Sequence, residues 1–347
     1  MCAALLAALL FVCTVCGAGN ALPGAVKDAL PFGEMLAPLT AQAGSGYAMQ
    51  EGTAGIAKGD KIYFGTFPST SYVHVNPKNT SDPYWRVLDN EKDNAGGTNA
   101  MFLLSENCWG TGGTYGNVYF DQDGNASTGQ SAPNQWQGSD AQAWCTSFYA
   151  AVFSTKEQAA IKGINKSDSV FQHNGVDYFA ASINILNGDK VFFLSGEEAC
   201  NSAYGFATDR NETGDNSGRV AYYGDVSTTR GYWWLRSPGL TGLDAALVTG
   251  VGRVTVGGLR VNHTYGVRPA FNLNLQSVLF SSAAVGGKSP DTEGAGTLNQ
   301  VSTTSPSEWK LTLLDDGTVS GLDGHTGFSA QCVIGAPGTQ SATAATV

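Results

Sequence analysis

The sequence has little charge and no cluster of basic residues. Only 14% of its 347 residues are charged, and the formal net charge is −10. Proteins that bind nucleic acid depend on clustered Lys and Arg, which neutralise the phosphates. The composition therefore excludes nucleic acid as a partner.

Motifs for catalysis are also missing. The four His have no Ser or Cys motif beside them, and no GxSxG occurs. The glycines of residues 110–116 lack the Lys and the helix start that a phosphate-binding loop requires. We therefore expect a protein that is not an enzyme.

Long apolar runs are absent except at the beginning of the chain. Ala3 to Val15 form an apolar run, and no charged residue comes before Lys27. A membrane span needs roughly 20 residues, so this run fits the apolar core of a secretory signal peptide better. The sequence predicts a signal peptide over residues 1–21, cleaved after Ala18 or Ala21, and a protein that is secreted or on the cell surface.

Cysteine is sparse after this leader. None of the remaining four, Cys108, Cys145, Cys200 and Cys332, belongs to a CxxC pair, and the four His are scattered, so no metal site is expected. Four cysteines allow three pairings. A disulfide between Cys108 and Cys145, or between either of them and Cys200, is one possibility. Free buried thiols are an equal alternative, because a domain of this size does not need a disulfide for stability.

Glycine and aromatic residues are abundant, with 45 Gly and 10% aromatics. Glycines between short apolar runs are typical of short strands joined by turns. We expect an α+β domain over residues 56–275. A flexible lead-in over 22–55 precedes it, and a Ser/Gly/Thr linker over 276–305 and the start of an incomplete β-module over 306–347 follow it.

Short apolar segments predict the strands Lys61 to Phe67, Trp85 to Leu88 and Met101 to Ser105. Ser139 and Asp140 predict the start of a helix. The apolar face of that helix is predicted to comprise Ala143, Trp144, Phe148, Val152 and Phe153. A second helix is expected over Thr155 to Ile161, with Lys156 and Glu157 pointing outward.

A hairpin is predicted near residue 257. Apolar and polar residues alternate in Arg253 to Val256 and in Leu259 to Asn262, and Gly257-Gly258 separates the two runs. This pattern is typical of two strands joined by a tight turn, with one face buried and the other presented.

One acidic loop resembles the opening of a calcium site. Asp121, Asp123 and Asn125 place oxygen ligands at alternate positions. Ala132 stands where the bidentate Glu would be needed, so the pattern favours a solvated turn, and we expect no cofactor.

The block from Gly231 to Leu275 resembles the C-terminal signature of an uncharacterised family of exported bacterial domains. Its parts are Trp233 to Gly239 (WWLRSPG), an AA.V…G.V…G..V stretch from Ala245 to Val261, and Gly266 to Ala270 (GVRPA). The resemblance covers roughly residues 56–275 and implies a C-type-lectin-like fold. Formylglycine-generating enzymes and retroelement-diversified variable proteins share this fold. The cysteine pair of the former is missing, since no Cys lies between residues 201 and 331.

In the diversified proteins, ligand-contacting positions lie between constant scaffold residues of the last strands. The resemblance assigns this role here to Leu240, Thr241, Leu243, Asp244, Thr249, Val251, Arg253, Thr255, Leu259, Arg260, Asn262 and His263. The alternation predicted for the hairpin agrees in part, because it places Arg253, Thr255, Arg260 and Asn262 on the face away from the core. The alternative is that all of these are ordinary solvated residues of a hairpin.

The constant positions of the signature are Trp233, Trp234, Arg236, Gly266 and Arg268. At least one of the two tryptophans is expected in the core, since neighbours in a strand face opposite ways. Arg236 and Arg268 are expected to be partly buried and paired with Glu106 or Glu198.

These observations favour a secreted or surface-displayed, non-catalytic module that binds an extracellular protein or glycan. Contact with a membrane is expected only through the leader or a downstream anchor. The alternative is a structural or adhesion-stalk domain of a longer surface protein. A third hypothesis is a carbohydrate-active enzyme that uses Asp209, Glu212, Asp215 or Asp225, since glycosidases need two carboxylates roughly 5–10 Å apart.

Overall fold

The computed structural model describes residues 49–51, 53, 55–66, 72–73, 84–90, 99–111, 118–169, 171–173, 176–223, 229–283 and 307–314. The predicted signal peptide, most of the lead-in, residues 284–306, Asp225 and Cys332 lie outside the described residues.

The described residues form a mixed α+β fold, as expected, with two α-helices and many short strands. In chain order the strands are β1 (Met49–Glu51), β2 (Lys61–Tyr63), β3 (Tyr72–Val73), β4 (Tyr84–Asp89), β5 (Ala100–Ser105), β6 (Gly110–Thr111), β7 (Val118–Tyr119), β8 (Ile161–Lys162), β9 (Ile164–Lys166), β10 (Phe171–His173), β11 (Val176–Tyr178), β12 (Leu186–Asp189), β13 (Phe192–Phe193), β14 (Trp233–Pro238), β15 (Asp244–Val248), β16 (Val254–Arg260), β17 (Thr264–Tyr265), β18 (Pro269–Asn274), β19 (Val278–Ala283) and β20 (Glu308–Leu313). The helices are α1 (Asp140–Val152) and α2 (Thr155–Ala160). Neither helix is long and apolar enough to cross a membrane.

A curled nine-stranded sheet carries the core. Its order is β1-β19-β20-β2-β4-β5-β18-β13, with β8 also pairing with β18. Every residue of β5 is buried, and β4 and β18 pair with its two edges. The ring of Trp85 on β4 packs edge-on against Phe271 of β18, with 4.7 Å between the ring centroids.

Helix α1 begins where the sequence predicts. The Ser139 side chain accepts a hydrogen bond from the backbone N–H of Gln142, as an N-cap does. The buried stripe differs from the prediction, since Ala143 is exposed and Trp144 only half-buried. The core-facing residues are Ala141, Cys145, Phe148 and Val152. Their spacing of four, three and four follows the helical period.

Helix α2 shows a second difference. Ser154 and Glu157 form a capping box, so Glu157 does not point outward. Its carboxylate is buried and accepts a hydrogen bond from the Gly65 N–H at 2.9 Å. The helix start is thereby tied to the loop after β2.

The predicted Gly257-Gly258 turn is wrong. The chain runs through both glycines as the single strand β16, which pairs with β15. The register shifts between Ala245 and Leu247, and Gly258 has φ +73°. The glycines therefore form a bulge, and the hairpin turn lies at residues 249–253, where the Thr249 N–H donates to the Arg253 carbonyl.

The C-terminal strands belong to the main sheet, which differs from the predicted division after residue 275. Strand β19 pairs with β1 and β20, and β20 pairs in parallel with β2. Segments predicted as part of a lead-in, a linker and a separate module thus complete one sheet.

The three described cysteines are free. Cys108, Cys145 and Cys200 are all buried thiols, so the predicted disulfides among them are wrong and the alternative of free thiols holds. Burial raises the pKa of Cys108 to about 12 and that of Cys200 to about 11, which keeps both thiols protonated at neutral pH.

Candidate functional site

Strands β14, β15 and β16 form a separate three-stranded sheet built from the signature residues. Trp233 and Trp234 are both fully buried, so the prediction that at least one is core is confirmed for both. Each indole N–H is satisfied by a backbone carbonyl, Arg219 for Trp233 and Val118 for Trp234. These rings anchor the sheet and are not available for stacking on a sugar.

Arg236 lies at the centre of a buried ion cluster. Its guanidinium contacts Glu198 at 2.5 Å and also pairs with Asp168. Lys166 lies 2.7 Å from both of these carboxylates. The predicted partner Glu198 is therefore confirmed, and Asp168 and Lys166 complete a cluster of two cations and two anions.

Arg268 makes a different set of contacts, and its predicted ion pair is wrong. Glu106 pairs with Arg86 at 2.5 Å, and Arg268 forms no ion pair within the described residues. Its Nε donates to the Ser105 carbonyl at 2.8 Å, and its guanidinium lies 5.0 Å from the centre of the Trp233 ring. Burial lowers the pKa of Arg268 to about 10, so the group stays charged at neutral pH.

Gly266, the remaining signature residue, lies where a side chain would not fit. A Cβ there would come within 2.7 Å of the Tyr223 ring. The Gly266 N–H donates to the Tyr232 carbonyl at 2.9 Å, and this contact holds the closing strand against β14.

Arg219 organises the loop that precedes β14, a role that the sequence does not indicate. It is fully buried, and its guanidinium group donates five hydrogen bonds, all to backbone carbonyls, at 2.6–3.2 Å. The acceptors are Ala199, Ala207, Asp209, Glu212 and Gly252. One side chain thus joins the loop to the turn between β15 and β16.

The predicted ligand-contacting residues separate into two groups at opposite ends of this sheet. Strand β15 has five residues, so its ends are about 15 Å apart at roughly 3.3 Å per residue. The "leucine end" comprises Leu240, Thr241, Leu243, Arg260, Asn262 and His263, all of them exposed. Asn134 fixes this turn by donating to the carbonyls of Thr241 and Asp244.

The other group surrounds the turn of residues 249–253. Val251 and Arg253 are exposed there, and Thr249 is half-buried. The Gly214 N–H donates to the Val251 carbonyl at 2.8 Å, so the loop that Arg219 holds supports this turn.

Three further predicted residues are half-buried and contribute less surface. The Thr255 hydroxyl donates to the Leu247 carbonyl at 3.2 Å, and Leu259 packs against the core. The Asp244 carboxylate accepts from the Thr241 hydroxyl and lies 3.6 Å from Arg260.

Two residues beside this turn were not predicted. A Cβ at Gly250 would lie 3.2 Å from Arg230 Cβ and 3.4 Å from the Tyr232 ring. Both side chains are exposed. The sequence does not indicate that Arg230 and Tyr232 lie beside the turn at residues 249–253. Local sequence does not show which residues flank a turn 20 positions later.

Exposed apolar side chains concentrate on this sheet. Of the six large ones in the described part of the chain, four lie in the segments that flank its strands: Leu240 is 70% exposed, Val251 47%, and Tyr232 and Leu243 43% each. The other two are Ile185 and Leu314.

Two clefts lie elsewhere. One of about 490 Å³ is lined by the segments 135–137, 165–167 and 182–187, and one of about 340 Å³ by 166–169 and 197–204. Neither is lined by Asp209, Glu212 or Asp215, the described acids of the glycosidase hypothesis.

The acidic loop at residues 121–125 uses its carboxylates for turn hydrogen bonds. Asp121 accepts from the Gly124 N–H at 3.0 Å, and Asp123 accepts from the Asn125 N–H at 2.7 Å. Burial and a hydrogen bond with Asp123 raise the pKa of Asp121 to about 6. Within the described ranges, no three His, Cys, Asp or Glu side chains cluster in a way that could hold a metal ion.

Comparison with known proteins gives one match. A family model described as a domain of unknown function, DUF6273, matches residues 98–275, which is just over half of the chain. No curated protein and no solved structure matches.

Proposed function

The chain belongs to the DUF6273 family of domains of unknown function, and we propose that it is an exported, non-catalytic module that binds an extracellular protein or glycan through the exposed ends of its three-stranded sheet. One observation carries this proposal. Four of the six large exposed apolar side chains of the described residues lie in the segments that flank these three strands, as one pair at each end of the sheet. Apolar residues grouped on a surface are typical of interaction sites, whereas scattered ones are not.

The architecture beneath these residues supports the proposal. Both turns are held by side chains from distant segments, Asn134 at residues 241–244 and Arg219 at Gly252. Two fully buried tryptophans hold β14 to the core. A rigid support lets exposed residues bind without a large loss of conformational entropy.

A C-type-lectin-like arrangement is part of the proposal. It rests on the resemblance of the blocks from Trp233 to Gly239 and from Gly266 to Ala270, and the mixed α+β fold is compatible with it.

The proposal that the protein is exported rests on the uncharged apolar run before Lys27. The expected mature protein begins at Gly19 or Leu22. Sequencing the amino terminus of protein collected from the culture medium or the cell surface tests this, and an intact Met1 in that material would contradict it.

Binding is tested with a glycan array and a random-peptide library as probes. The double variant Leu240→Ser/Val251→Ser removes one exposed apolar residue from each end of the sheet. The matched control, Ile185→Ser/Leu314→Ser, removes the two exposed apolar residues that lie elsewhere. We expect the first variant to bind at least about tenfold more weakly than the native chain, a change of roughly 1.4 kcal/mol, and the control to bind normally.

Equal binding by both variants, or binding to neither probe, overturns the proposal. The latter result favours the alternative of a structural or adhesion-stalk domain, in which the same surface is inert.

A further inference from the structure

Building on the proposed function, we propose that the ligand is an acidic segment of a partner protein and that it binds at one end of the sheet. This "arginine–tyrosine end" comprises Arg230, Tyr232, Val251 and Arg253. Arg230 and Tyr232 flank Gly250, and Val251 and Arg253 belong to the same tight turn, closed by the Thr249 N–H and the Arg253 carbonyl at 2.9 Å. The four residues therefore lie around one turn at this end of the sheet, and all four are exposed.

The charges at this end are opposite to those of the whole molecule. The chain carries a net charge of −10, and yet Arg230, Arg253 and Arg260, the exposed arginines of the described residues, all belong to or flank this sheet. Arg260 lies near Asp244 at the leucine end. Arg230 and Arg253 form no ion pair within the described ranges, so two guanidinium groups are available to a ligand.

A neighbouring acidic residue does not neutralise them. The loop at Gly214 is hydrogen-bonded to Val251, which brings Asp215 close to the turn. Asp215 is exposed and forms no ion pair with either arginine among the described contacts. A guanidinium presents paired donors that match the oxygens of a carboxylate or a phosphate, so an anionic group of this kind fits these two positions.

The apolar part of this end is anchored in the core. The Tyr232 ring packs on Tyr265 with centroids 6.0 Å apart, and Tyr265 packs edge-on against the buried Trp234 at 5.0 Å. Tyr232 is thus held in place while 43% of it is exposed. Tyrosine and arginine, together with tryptophan, are enriched among the residues that contribute most binding energy at protein interfaces.

This combination favours an acidic polypeptide over other anions. The two cations lie beside exposed tyrosine and valine side chains, so a fitting ligand carries both carboxylates and apolar groups within a few residues, as a peptide segment does. A nucleic acid presents phosphates continuously and would be repelled by the acidic remainder of the chain.

The test is selection of a random 12-residue peptide library on the full chain at low salt, followed by titration of the selected peptides. We expect peptides rich in Asp or Glu beside aromatic or aliphatic residues. Their affinity should fall at least tenfold for Arg230→Gln/Arg253→Gln, and it should fall with added salt for the native chain more than for this variant. The matched control, Leu240→Ser/Leu243→Ser at the leucine end, should bind normally. All four positions are exposed, and circular dichroism of each variant verifies that it is folded.

The remaining outcomes separate the two proposals. Selected peptides without acidic residues, or binding that depends only on Leu240 and Leu243, overturn the acidic-segment proposal and leave the proposed function standing. If both variants bind as well as the native chain, the acidic-segment proposal and the proposed function are both overturned. Arginine-dependent binding of a uronic-acid glycan, with no peptide selected, overturns the assignment to a polypeptide.

Discussion

Three fully buried arginines, Arg219, Arg236 and Arg268, are compensated in different ways. Backbone carbonyls surround Arg219, two carboxylates pair with Arg236, and Arg268 lies on a tryptophan ring and donates to one carbonyl. The sequence predicted that Arg236 and Arg268 are partly buried, because they stand beside apolar residues in strands, and in the structure both are fully buried. The predicted acidic partner was right for Arg236 and wrong for Arg268, because local sequence contains no information on which distant acid lies closest.

The ion cluster at Arg236 leads to a prediction on stability. Arg236→Met leaves Asp168 and Glu198 with only Lys166 as a compensating cation. Breaking a buried ion pair on one side costs about 3–5 kcal/mol. We expect a loss of this size in the free energy of unfolding, measured by urea denaturation. Arg253→Met, at an exposed position, serves as the control and should change it by less than about 0.5 kcal/mol. Equal stability of the two variants would show that the cluster contributes little.

Asp121 leads to a prediction on pH dependence. Its pKa is raised to about 6 from an ordinary value of 3.8, so the folded state binds more protons than the unfolded state between these values. The charged carboxylate is disfavoured in the fold, and this group's contribution to stability therefore decreases as the pH rises from about 4 to 6. Asn at this position has no charge to desolvate and keeps an oxygen acceptor for the Gly124 N–H.

The melting temperature of Asp121→Asn, minus that of the native chain, should accordingly increase as the pH is raised from 4 to 7. A difference that stays constant over this range would contradict the raised pKa.

At the level of single elements, the local sequence predicted where α1 starts. It predicted less well which residues of α1 face the core. The Ser139 cap placed α1 correctly, since capping needs only residues within one turn. The predicted face of α1 followed its largest apolar residues. In the structure the small Ala141 and Cys145 face the core and Ala143 faces solvent, which depends on what packs against the helix.

The two glycines of β16 form a matched pair for experiment. Gly258 has φ +73°, and a Cβ there would come within 2.6 Å of the Ala245 carbonyl, whereas a Cβ at Gly257 would meet nothing within 4 Å. Gly258→Ala should destabilise the protein by more than about 1 kcal/mol, while Gly257→Ala should be neutral within about 0.5 kcal/mol. Urea denaturation measures both. If these glycines formed a turn between two strands, the two substitutions would not differ in this way.

For the molecule as a whole, β20 joins the two parts of the main sheet, because it pairs with β19 on one side and with β2 on the other. Trp309 is fully buried, and its indole N–H donates to Asp60 at 2.8 Å, so residues 249 positions apart in the chain form one part of the core. The predicted boundary after residue 275 followed a change in composition. Composition indicates that a segment is a linker. It does not indicate whether the strand after the linker pairs with the sheet that precedes it.

Trp309 therefore tests whether β20 belongs to the main domain. Trp309→Ala should lower its free energy of unfolding by about 3–5 kcal/mol, because a large buried side chain and its hydrogen bond are lost. Leu314→Ala, one residue after β20 and partly exposed, should have a small effect. An unchanged stability for Trp309→Ala would indicate that β20 forms a separate module instead.

The sequence by itself determined the elements whose signals are local: the α+β composition, strands β4, β5 and β14, the start of α1, and the core position of at least one of Trp233 and Trp234. It also indicated which segment carries exposed residues. Only the tertiary structure divided that segment into two ends about 15 Å apart, added Arg230 and Tyr232 to one of them, and placed β19 and β20 in the main sheet. The reason is physical. Periodicity and capping depend on neighbours within a few residues, whereas strand order, ion-pair partners and the shape of a surface depend on contacts between residues far apart in the chain.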